Sequence, residues 1–270
     1  MQKTSRSPDL ERLSTLTATI LLVYAMSQFI RQPAGNLSIQ LPGFFLPISF
    51  NFRNLVWIGI VFLAGAGMNW MLEDRIPLDG RSRLQHWLLP ALTAWVIGVP
   101  LFSLPSGTLW FLVYILGGVL LTLVFLAEYY TADPQNERAT LAALVLTGIS
   151  YALFLVLAVS IRYSGTRLYL LTPAIGLGAI LVSMRTLYLR TGGNWLYAWS
   201  AATALLISQV AVGMYYLPIM PIQFGLILVG LLYAAVNLGD RAATRPLTRG
   251  DLLEPGLAVA AGLLLAVLTH

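Results

Sequence analysis

Eight times between Leu10 and Leu238 the chain runs for roughly twenty residues almost without charge. A helix of about 20 apolar residues is what crosses a hydrocarbon layer about 30 Å thick. Lipid leaves few architectures open, because every backbone N–H and C=O inside it must be bonded within the protein. The runs are Leu10 to Ile30, Asn54 to Met71, His86 to Leu104, Thr108 to Tyr130, Ala139 to Ile161, Leu168 to Leu189, Trp195 to Tyr216 and Ile222 to Leu238. The expected fold is therefore all-α: a polytopic transmembrane helix bundle, eight spans plus a short C-terminal helix, forming one integral membrane domain over 1–270. Composition agrees, since hydrophobic residues make up 58% and charged residues 10%, against about 25% charged in soluble domains. Mean hydropathy is +0.78.

The ends of this pattern are weaker than its middle. Lys3 and Arg6 ahead of the first run, with Ala25-Met26-Ser27 inside it, have some look of a signal peptide. Asp9 and Glu11 in the leader, and the further spans that follow, make an uncleaved anchor the simpler reading. The last apolar run, Pro255 to Thr269, rises only about 22 Å and is short for a full crossing. Asp251 and Glu254 ahead of Pro255 mark its start, acids and a first-turn proline being favoured at helix N-termini.

Placing each Lys and Arg by alternating the spans puts twelve on one side and four, Arg31, Arg53, Arg162 and Arg167, on the other. Basic residues are retained in the cytoplasm. The expected location is thus a cell inner (plasma) membrane, multi-pass, with the N-terminus cytoplasmic and residues 37–52 outside. In that loop Leu37, Ile39 and Leu41 alternate with Ser38 and Gln40; beyond Pro42-Gly43, Ile48, Phe50 and Phe52 alternate with Ser49 and Asn51. Period two around a Pro-Gly turn reads as an extracytoplasmic hairpin, either sealing the bundle or gating it. Proline-marked junctions after the third and seventh spans, Leu104-Pro105 and Leu217-Pro218, would suit two duplicated four-helix halves, although no residue identity between the halves is visible.

Polar groups within spans are costly and so mark candidate sites. Asn69, His86, Glu128, Arg185 and Asn237 fall at one depth near the inner ends of their helices. Glu128 with Arg185 is the expected contact, with His86 and Asn69 as candidate neighbours; interface anchoring is the competing explanation. Gln209, near mid-membrane, calls for one interhelical hydrogen bond, with Ser200, Ser208 or a tyrosine as partner. No cofactor or metal is expected. Cysteine is absent, and of only two histidines His86 stands beside Trp87 at a headgroup boundary. The sole lysine, Lys3, lies outside the bundle, aspartates sit only in loops or at helix ends, and no P-loop, HExxH or GxSxG pattern occurs.

LPGFFLPISF (41–50), HWLLPALTAW (86–95) and AEYYTAD (127–133) resemble a family of bacterial multi-spanning membrane proteins of uncharacterised function. The resemblance implies a shared bundle with an outer loop and transfers no catalytic role to any residue. The leading functional expectation is a non-enzymatic bundle, either binding a small apolar or amphipathic ligand or serving as an accessory subunit to another membrane protein. A secondary transporter is the alternative, and a lipid-modifying enzyme near Glu128 the third reading. The lipid bilayer is the expected partner, and nucleic acid is not.

Overall fold

The computed structural model describes residues 9–29, 35–41, 44–50, 52–73, 83–133, 136–246 and 248–269. Among these, nine α-helices follow one another: α1 (Leu10–Ser27), α2 (Phe52–Leu72), α3 (Leu88–Ser103), α4 (Thr108–Thr131), α5 (Ala139–Tyr163), α6 (Leu168–Arg190), α7 (Tyr197–Tyr215), α8 (Pro221–Thr244) and α9 (Leu253–Leu268). Short 3-10 turns at Arg83–His86 and Arg249–Leu252 lead into α3 and α9. Between α1 and α2 stand two strands, β1 (Gly35–Leu41) and β2 (Phe44–Phe50). They pair antiparallel in a register that sets Leu37 against Ile48, Ile39 against Leu46 and Leu41 against Phe44, so the period-two segment does form a hairpin. Its Pro42-Gly43 link lies outside the described residues. Phe52, expected to extend the second strand, instead opens α2.

Among the described residues eight helices are long and apolar enough to cross a membrane, the number expected, with the last run in the set in place of the first. The doubtful last run qualifies, because the 3-10 turn extends it to a 20-residue unit, Arg249–Leu268. The first helix falls outside the set, since its 18 residues include Glu11 and Arg12 in the first turn. Helix α1 is nevertheless docked. Tyr24 donates its hydroxyl to the Ala94 carbonyl of α3, Gln28 reaches the Leu101 carbonyl at 2.9 Å, and Tyr114 of α4 donates to the Leu21 carbonyl at 3.1 Å. A Cβ at Gly67 of α2 would lie 2.2 Å from Leu16, so the missing side chain lets α1 and α2 approach closely.

The core has two main parts. Ile20, Tyr24, Ile60, Met68 and Phe125 pack together within α1, α2 and α4. Phe154, Leu157, Val182, Ile207 and Phe224 do so within α5 to α8. Helix α3 serves both, with Ile97 and Leu101 in the first cluster and Leu92 and Val96 in the second. Near the second seam, α9 lies on α8 where Gly230 faces Gly262; a Cβ on either would come within 3.0 Å of the other helix's backbone carbonyl.

Candidate functional site

The start of α3 and the ends of α4 and α6 meet at one end of the bundle. Pro90 occupies the third position of α3, in the first turn, where its missing N–H costs no intrahelical bond. The preceding 3-10 turn ends in His86, which is thereby held just ahead of the helix. Glu128 lies one turn before the end of α4 and Arg185 in the second-last turn of α6. All three are sealed off: Glu128 is 0%, Arg185 1% and His86 2% exposed.

Both oxygens of the carboxylate accept hydrogen bonds. Arg185 Nε donates to Glu128 Oε1 at 2.9 Å, and its Nη2 donates to Oε2, a two-point fork that suits planar guanidinium and carboxylate groups. His86 Nδ1 lies 2.7 Å from the same Oε2, and Thr131 Oγ1 stands at 3.5 Å. Gln85 Nε2 is 2.9 Å from His86 Nε2. A neutral ring that donates from Nδ1 to the carboxylate and accepts at Nε2 from the Gln85 amide satisfies both contacts. The Arg185 guanidinium also sits 5.8 Å from the Tyr188 ring centre, within cation–π range.

Because Glu128 belongs to α4 and Arg185 to α6, this pair ties the first half of the bundle to the second. Breaking such a buried pair on one side costs about 3–5 kcal/mol, since it strands the other charge, whereas replacing both partners by apolar groups is often neutral. Chemically, a carboxylate whose two oxygens are occupied offers no free lone pair at the surface for a substrate, which suits a pin better than a general base.

Asn237 does not join these residues. It belongs to a second cluster, built on Tyr233, Asn237 and Arg241, which recur every fourth residue along one face of α8. Asn237 Nδ2 donates to Glu254 Oε1 at 2.9 Å and Tyr233 donates to the same atom at 3.0 Å. Arg241 Nη1 donates to Asp251 Oδ1 at 3.1 Å, and its Nη2 pairs with Glu254. Arg245 and the Thr248 hydroxyl also bind Asp251. The acids expected only to mark the start of the last helix therefore fasten α9 to α8. Asn69 is half-buried on α2 and is not among the partners of the Glu128 carboxylate. Gln209 departs from expectation most plainly: it is exposed on α7 and bonds to no described residue, while Ser200 is buried with an unpartnered hydroxyl. The spacing along α8 was the sequence signal for the second cluster; Gln85 and Thr131 carried none.

Beside this second cluster runs an apolar groove of about 450 Å³ between α7, α8 and α9. Trp199 and Leu206 line one wall, Leu238 the floor, and Leu252, Gly256 and Val259 the other wall. Trp199 is fixed by donating its indole N–H to the Ala235 carbonyl at 2.8 Å.

Long apolar helices and charged groups paired where buried define a multi-spanning helical membrane protein. Within that class, residues 32–269 match the family described as protein of unknown function (DUF5656), and the chain belongs to it. No curated protein and no solved structure matches the chain.

Proposed function

We propose that the chain is a non-enzymatic bundle of a bacterial inner membrane, its N-terminus in the cytoplasm, that holds an apolar or amphipathic ligand in the groove between α7 and α9. The observation that carries this reading is a contrast in access. Glu128, the carboxylate expected among the polar groups of the spans, is closed off by Arg185 and His86, while the groove is apolar and open to the outside of the bundle. Pockets that take apolar ligands are concave and lined in this way. The twelve-to-four division of Lys and Arg supports this orientation, under which the groove lies in the cytoplasmic half. A second reading, an accessory subunit, draws on Gln209: an amide exposed on a membrane helix gains from a hydrogen-bonding partner on a neighbouring helix.

Complementation separates these readings from catalysis. Cells lacking the chain are scored for growth and membrane lipid composition, then supplied with wild-type protein, Glu128→Leu/Arg185→Leu, or Gly256→Leu. Gly256 lines the groove and a Cβ there meets nothing within 4 Å, so the position has room for a larger side chain meant to occupy the groove. Ligand holding predicts that the double variant complements and Gly256→Leu does not. The reverse result would establish Glu128 as a working residue and end the non-enzymatic reading.

A further inference from the structure

The groove has one end at the membrane surface and the other within the bilayer. Its surface end is formed by Trp199 at the start of α7, Leu238 near the end of α8 and Leu252 just before α9. Its deep end is reached at Leu206 and Val259. From Trp199 to Leu206 the helix rises about 10 Å, against about 15 Å for half of a hydrocarbon core. A chain lying in it therefore belongs to one leaflet, with its polar end at Leu252.

At that end stands a cation without an internal partner. Arg245 binds the Asp251 carboxylate, and Arg241 binds both Asp251 and Glu254. Glu254 is further held by Tyr233 and Asn237. Arg249 is exposed and pairs with no acid among the described residues. It opens the 3-10 turn Arg249–Leu252, and side chains three apart in such a turn eclipse one another. Arg249 thus shares a face of the turn with Leu252, which lines the groove. We propose that the groove is a binding site for an anionic phospholipid, one acyl chain lying between α7 and α9 and the headgroup phosphate held by Arg249. This names the ligand class of the reading above and rests on it. The occupant is a lipid rather than a free anion because the apolar walls continue directly from the cation into the hydrocarbon, and rather than a zwitterionic lipid because the charge at the mouth is unbalanced.

Trp199 supplies the probe. The full chain is reconstituted in phosphatidylcholine vesicles containing matched mole fractions of phosphatidylglycerol or phosphatidylcholine with brominated acyl chains, and the Trp199 share of the quenching is obtained by difference with Trp199→Phe. The expected result is a preference for phosphatidylglycerol of about fivefold, the worth of one basic side chain near an anionic lipid surface, shrinking as salt is raised. Arg249→Gln should bring the ratio to about one, and Gly256→Leu should remove the Trp199 quenching by the anionic lipid. Equal quenching by both lipids, or a preference that survives Arg249→Gln, overturns the anionic-lipid assignment and leaves an apolar groove. Absence of Trp199 quenching by either lipid overturns the assignment and the ligand-holding reading together.

Discussion

The two charged clusters at one end of the bundle use similar side chains in opposite surroundings. Around Glu128 a carboxylate, a guanidinium and an imidazole are sealed between helices α3, α4 and α6. Around Glu254 the side chain is 50% exposed and its partner Arg241 22% exposed. In the sealed cluster every charge must be matched, because an unpaired ion away from water is expensive. In the open one water screens the mismatch, so a surplus cation such as Arg249 can be kept for something outside the chain. Exposure thus sets Arg249 apart from the paired charges of both clusters, buried Asp251 included.

That contrast is easiest to break at Glu128. Glu128→Leu or Arg185→Leu alone should destabilise the protein by about 3–5 kcal/mol, read as the loss of folded protein in denaturant titration in detergent micelles. His86→Ala should cost less, about 1–3 kcal/mol, because it removes the bonds to Glu128 and Gln85 but leaves the Arg185 fork intact. Gly262→Leu sharpens the comparison at the α8–α9 seam, where the two backbones touch. Forcing them apart should cost about 1–3 kcal/mol and loosen α9, seen as faster hydrogen exchange in that helix than in α8. Smallest of all, Glu254→Gln should change stability by no more than about 1 kcal/mol, as expected of a half-exposed pair.

Depth was readable along the chain, whereas the direction each side chain faces was not. Glu128, Arg185 and His86 stand out as polar groups at one level of an apolar sequence, and they do meet. Asn237 shares that level but faces α9, and Gln209 faces away from the bundle. In a soluble helix the polar face marks the outside; in lipid both the core and the surroundings are apolar, so that contrast fades. The hairpin was legible for the opposite reason, since its period of two survives in any solvent and the register pairs Leu37 with Ile48. Charge blurred the count of spans at both ends. Glu11 and Arg12 lower the hydropathy of α1, while the turn at Arg249–Leu252 lengthens a final run that looked too short. The groove left no trace in the sequence, because residues such as Leu206 and Val259 look the same whether they line a cleft or face lipid.

Glu128 and Arg185 act as a sealed pin between the two halves of the bundle, and a double-mutant cycle on their unfolding free energies tests this most directly. A pin predicts that Glu128→Leu/Arg185→Leu together lies within about 1–2 kcal/mol of the wild type although each single change costs about 3–5 kcal/mol. Single changes that are nearly neutral, or that simply add in the double variant, would contradict it.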